Sequence, residues 1–118
     1  MNNEDFETLL AESRERRDEI LFGKGMEYGN NESKTFNFED TARALGLSPM
    51  QVWAVYFLKH IYAILTYVRT GRESAEGMEG RFDDAVNYLD LGWALIKDTR
   101  LSDERERVKG FLEKAKHV

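Results

Sequence analysis

Between Ser48 and Gly71 nearly every position is apolar: Val52, Trp53, Val55, Tyr56, Phe57, Ile61, Tyr62, Ile64, Leu65 and Val68 leave almost no polar face. A helix that is apolar all round is buried on most of its sides. Its ends are marked as well. Ser48 can cap the N-terminus, Pro49 suits the first helical position, and Gln51 completes an S-x-x-Q capping box. Gly71 is the residue type that takes a left-handed stop cheaply. The stretch is therefore predicted to be a long, buried central helix of about 22 residues, roughly 33 Å. Lys59 and His60 interrupt it near its middle.

The chain pattern predicts about five helices in all, packed around this one. A first helix, with Asn3 as its cap, carries Phe6, Leu9, Leu10, Ile20 and Leu21, and its middle, ESRERRDE, reads as a solvated charged face. Residues 23–34 read as a long, glycine-rich polar loop. Asn37 is expected to cap a short helix from Phe38 to Leu45, ended by Gly46. After a second polar loop, 70–80, a fourth helix runs to about Asp98. Its stripe of Phe82, Val86, Leu89, Trp93 and Ile96 is predicted to face the core. Ser102 is expected to cap a last helix that buries Val108, Phe111, Leu112 and Ala115. The central helix is too apolar for these short helices to cover. Tyr88, Leu91 and Leu95 lie off the main stripe of helix four. Both features predict a homo-oligomer, a dimer or higher, with these helices at the interface.

Composition narrows the picture. With 118 residues the chain is one all-α domain, residues 1–118. It has no cysteine, which removes disulfides and thiolate zinc sites, and its net charge of −5 argues against binding a nucleic-acid polymer. Lys59 and His60 would be costly inside a bilayer, so no membrane partner is expected. The opening MNNEDFETLL has no signal-peptide pattern, which predicts a cytoplasmic location.

Two groups of residues could carry chemistry. On helix four, Asp83, Asn87 and Asp90 share one face, and Arg81, Asp84 and Tyr88 share another. Clustered carboxylates suit Mg²⁺, although acids also collect near helix N-termini for electrostatic reasons alone. Lys59 and His60, joined by Arg81 and Lys24, could instead form the cationic floor of a phosphate site. Alternatively, Lys59 pairs with Asp83 or Asp84 and His60 is a hydrogen-bonded core histidine. Tyr28, Phe36, Phe38, Trp53 and Tyr88 could stack a base, or simply be core. His60 and His117 are the only histidines, and no Walker or zinc-protease motif occurs, which argues against a nucleophilic triad.

Three strings, EYGNNESKTFNFEDTARALG, QVWAVYFLKHIYAILTYV and EGRFDDAVNYLDL, together resemble small phage proteins of the nucleotide-modification-associated domain type. These look like distant relatives of the all-α MazG-like nucleoside triphosphate pyrophosphohydrolases. The likeness spans residues 27–97 and leaves out the charged terminal helices, 3–22 and 102–116. It rests on Tyr28, Gly29, Asn37, Phe38, Lys59, Glu79, Asp84, Asn87 and Tyr88. The resemblance implies an oligomeric MazG-like helical bundle that holds a phosphorylated nucleotide between the central helix and helix four.

The catalytic relatives hold Mg²⁺ between two acidic pairs on adjacent helices, and here the sequence departs from them. No Asp or Glu occurs from Pro49 to Arg72, and Leu58, Lys59, His60 and Ile61 stand where acids are expected. Cations in place of acids suit direct phosphate contact better than metal-assisted hydrolysis. The reading is capture of a phosphorylated nucleotide, linear or cyclic and signalling nucleotides included, without turnover and without a cofactor. Its expected ligand-binding residues are Lys59, His60, Arg81, Tyr28, Asn37, Phe38, Trp53, Asn87 and Tyr88. The alternatives are a Mg²⁺-dependent pyrophosphohydrolase using Glu79, Asp83 and Asp84, and a purely structural helical oligomer.

Overall fold

The computed structural model describes residues 1–23, 33 and 35–116. These form four α-helices and, among the described residues, no strand: α1 (Asn3–Asp18), α2 (Phe36–Leu45), α3 (Pro49–Thr70) and α4 (Gly77–Lys116), with a π-helical turn, Glu19–Gly23, extending α1. The all-helical class matches the expectation. None of the helices is long and apolar enough to cross a membrane.

The termini follow local chemistry. Asn2, rather than Asn3, caps α1 by accepting the Asp5 N–H at 2.8 Å. Around α3 the predicted capping box is present: Ser48 Oγ accepts the Gln51 N–H at 3.1 Å, and the Gln51 side chain accepts the Ser48 N–H at 2.9 Å. Gly71 closes that helix with a φ of 71°, and Gly46 closes α2 with a φ of 69°. The second helix begins earlier than predicted, at Phe36 with Thr35 before it, so Asn37 lies inside the helix rather than at its cap.

The predicted break before Ser102 does not occur, and one 40-residue helix replaces the expected fourth and fifth. No glycine or proline lies between Gly92 and Gly110 to stop it. Thr99 turns its hydroxyl onto the Leu95 carbonyl at 3.0 Å, a bond compatible with continuing the helix.

α4 packs chiefly on α3, α2 packs on α3, and α1 lies against α4. The core is made by Phe38 and Ala42 of α2, Val52 of α3, and Tyr88, Leu91 and Leu95 of α4, with Leu21, Met50, Trp53 and Phe57 against it. This reverses the expected orientation of the fourth helix. Phe82, Leu89 and Trp93 of the predicted core stripe are exposed, while Tyr88, Leu91 and Leu95, expected at an interface between chains, are buried within one. The cause is a close approach at Gly92. Trp53 lies over that glycine, stacks on Phe57 with ring centroids 4.9 Å apart, and donates its indole N–H to the Tyr88 carbonyl. Only a face carrying a small residue admits the indole, and the Phe82–Trp93 stripe has none at that level.

The central helix is buried on one side only. Val52 and His60 face inward, whereas Val55, Leu58, Tyr62 and Leu65 are exposed. The stripe expected to be buried at the C-terminus, including Val108, Phe111 and Leu112, is exposed too.

A Cβ at position 92 would meet Trp53 ring carbons at 2.5 and 2.6 Å. Gly92→Ala is expected to cost about 1–3 kcal/mol through overpacking. Urea unfolding followed by tryptophan fluorescence should show a lower midpoint with an unchanged slope.

Candidate functional site

The two faces read on the fourth helix are physically separate in α4. The face bearing Asp83 and Asn87 turns to α1. Asp83 is buried and takes both ends of the Arg16 guanidinium, with Arg16 Nη2 3.1 Å from Asp83 Oδ1, while Arg17 Nη1 stands 3.9 Å away. The Asn87 amide donates to the Arg17 carbonyl at 3.3 Å. These contacts fasten α1 to α4. Glu79 is mostly exposed at the edge of the same group, 3.4 Å from Arg16. Asp90 is exposed.

The face bearing Arg81, Asp84 and Tyr88 turns to α3 and meets His60. Arg81 is buried and forms the hub. Its Nε donates to Ser74 Oγ at 3.1 Å, and its Nη1 lies 3.2 Å from His60 Nδ1 and 3.4 Å from Glu76 Oε2. A guanidinium can only donate, so Nδ1 of His60 accepts and the ring proton sits on Nε2. The histidine ring also lies against Tyr88, with centroids 5.1 Å apart, and Tyr88 in turn stacks near Tyr56 at 6.3 Å and meets Phe38 edge-on at 6.0 Å. An aromatic wall thus borders a cationic hub.

Burial holds the His60 imidazole below its usual pKa; the Asp84 carboxylate pulls it back up, while Arg81 and then Lys59 push it further down. Asp84, 3.8 Å from Nδ1, is displaced in the other sense. Burial raises its carboxyl, His60 opposes that, and Glu76 and Asp83 add to it. Around Arg81, then, stand a neutral imidazole, an alcohol and the Glu76 carboxylate, whose side chain is 53% exposed, while Asp84 lies against the same imidazole. Among the described residues, the ion-pair partner of this buried cation is thus a half-exposed carboxylate.

The structure brings together His60, Arg81, Asp84 and Tyr88 of the expected set. Lys59 is exposed, one residue around the helix from His60, and neither Asp83 nor Asp84 pairs with it: Asp83 holds Arg16 and Asp84 faces His60. Phe38 is fully buried core, Trp53 is engaged with Gly92 and Tyr88, and Asn37 is half-buried on α2. Asn87 belongs to the α1 face. Tyr28, Lys24, Gly29 and His117 lie outside the described residues. Glu79, Asp83 and Asp84 do not converge on one point, because consecutive helical positions 83 and 84 point about 100° apart. Among the described residues no three acids or histidines gather as a metal site.

Ser74, Glu76 and Arg16 were not anticipated. Ser74 and Glu76 sit in the loop ahead of α4, close enough in sequence to Arg81 to have been found by asking what a helix-first-turn arginine can reach backward. The pairing of Arg16 with Asp83 spans 67 residues and leaves no local signal.

His60 and Asp84 make opposite contributions to the pH dependence of stability. His60 has a folded pKa below the unfolded value of 6.5. Its contribution is therefore fully present above 6.5 and is lost as pH falls through that value toward the folded pKa. Asp84 has a folded pKa above 3.8, so the folded chain holds that proton more tightly and gains stability as pH falls through its folded pKa. In urea unfolding at about pH 7.5 and about pH 5.5, His60→Gln should lose less stability on acidification than the parent.

In comparisons with known proteins, the chain matches no family model, no curated protein and no solved structure.

Proposed function

We propose that the protein captures a phosphorylated nucleotide at the end of the α3–α4 interface and does not turn it over. The observation that carries this reading is the buried Arg81 guanidinium, whose nearest ionised partner is the half-exposed carboxylate of Glu76. An incompletely compensated buried cation is costly, and a phosphate supplies the charge-assisted hydrogen bonds that offset the cost. In this account Glu76 occupies the place of a phosphate oxygen and swings out when ligand arrives. Lys59, whose charge is felt at His60, adds to the cationic floor, and as the anion binds His60 takes up a proton on Nδ1 and releases its contact with Arg81. Tyr56, 42% exposed and stacked on the buried Tyr88, offers aromatic surface for the base.

The Mg²⁺-hydrolase alternative is less well supported. Asp83, which it needs as a ligand, is already neutralised by Arg16 and faces α1. The cation-based reading needs no rearrangement of the helices.

Incubation with a panel of linear and cyclic nucleotides, removal of free ligand, heat denaturation and chromatography test the proposal. Intact nucleotide should be released in stoichiometric amount, and capture should survive EDTA. Cleaved product beyond protein stoichiometry would mean an enzyme, and no ligand and no thermal shift with any nucleotide would leave only a structural role. Glu76→Gln should tighten binding, and Arg81→Gln should weaken it by about tenfold or more, the loss of a charge-assisted hydrogen bond or two.

The same reading includes a homodimer built on the outer face of α3. Val55, Leu58, Tyr62 and Leu65 recur at i, i+3, i+7 and i+10, the spacing of a helix–helix seam. They lie between Gln51 and Arg69, which give the stripe polar ends. A second copy of the same stripe, related by a two-fold axis, is the self-complementary cover for it. Light scattering should give at least a dimeric mass, lowered by L58E; a strictly monomeric parent would refute this part.

A further inference from the structure

α4 outruns the rest of the fold. From Leu101 to Lys116 every described residue but Gly110 is exposed, so the last four turns project as a single helix. Glycine inside an exposed helix costs about 1 kcal/mol relative to alanine, and a solvated single helix of this length is marginal on its own. This projection also carries an apolar line: Leu101, Val108 and Leu112, at i, i+7 and i+11, are 40%, 49% and 54% exposed. That line is not a continuation of the α3 contact. Leu101 follows Asp83 by five whole turns of about 3.6 residues each, so it lies on the α1 side of α4 and away from α3.

The charge along the projection is divided. Residues 98–106 contain Asp98, Asp103, Glu104 and Glu106 against Arg100 and Arg105, a net of 2 − 4 = −2. Residues 107–116 contain Arg107, Lys109, Lys114 and Lys116 against Glu113, a net of 4 − 1 = +3. Two parallel copies would set like against like. Two antiparallel copies set the acidic half of each against the basic half of the other, which favours that orientation and disfavours the other. Placing Leu101 of one copy level with Leu112 of the other aligns the ends of the two apolar lines and sets the acidic half of each copy beside the basic half of the other.

We infer that the C-terminal half of α4 is a self-association element that pairs antiparallel with the same segment of a second copy, Leu101 against Leu112. The contact is separate from the α3 face and from the nucleotide site, and it joins two folded bodies at opposite ends of a two-helix bridge.

The chain has no native cysteine, so single cysteines report the pairing directly. Under mild oxidation, a mixture of L101C and L112C chains should give the mixed disulfide as the main product, and L101C alone should stay largely uncrosslinked. The triple variant L101E/V108E/L112E should halve the mass measured by light scattering while leaving the near-ultraviolet circular dichroism of the body unchanged, since all three side chains are solvent-facing within one chain. Efficient self-crosslinking of L101C in place of the mixed product would overturn the antiparallel arrangement. A mass unmoved by the triple variant would overturn the association itself.

Discussion

The contact between Trp53 and Gly92 sets the geometry on which everything else depends. An indole lying over a glycine brings α3 and α4 together closely enough for Tyr88, Leu91 and Leu95 to meet Val52 and the α2 residues Phe38 and Ala42. It also fixes the rotation of α4 about its axis. Once Gly92 faces α3, Arg81, Asp84 and Tyr88 must follow within the same interface, and Asp83 and Asn87 must turn toward α1. One small residue thus sorts the polar groups of α4 into a fastening for α1 and a mixed-charge cluster around Arg81 beside α3.

The two polar groups differ in how well they are compensated. Asp83 receives the Arg16 fork and stands near Arg17, so its charge is fully answered. Arg81 has an imidazole, a hydroxyl and a half-exposed carboxylate. A buried ion pair with all its partners is a structural device, while a buried cation with weak partners is a place where an incoming anion gains most. That contrast, rather than the count of charged residues, is the reason for assigning capture to the α3 side and fold-holding to the α1 side.

Much of the fold was legible because its signals are local. The limits of α3 follow from Ser48, Pro49, Gln51 and Gly71, and its observed ends agree with them. The division of α4 into two polar faces follows from helical spacing. What sequence could not give was the rotation of α4. Its Phe82–Trp93 stripe is the more hydrophobic one, and pattern reasoning chooses the most hydrophobic face. The close approach at Gly92 depends on where a residue 39 positions away lies in space. The same limit hid the Arg16–Asp83 pair and made Ser102 look like a cap, since a serine in an exposed helix carries the same local signal whether or not the helix stops. Of the site, His60, Arg81, Asp84 and Tyr88 were named in advance and meet; Lys59, expected on the floor of the same site or paired with Asp83 or Asp84, lies about 100° around α3 from His60, in solvent.

The most direct measurement is the nitrogen NMR titration of the His60 imidazole with and without a saturating nucleoside triphosphate. The account predicts that free His60 is neutral at pH 7, protonated on Nε2, with a pKa below that of an ordinary histidine. It further predicts that ligand raises that pKa markedly, because a bound phosphate stabilises the imidazolium beside Arg81. A His60 that is already charged at pH 7 in the free protein, or whose titration is unmoved by every phosphorylated nucleotide, would contradict the assignment of an anion site to this cluster.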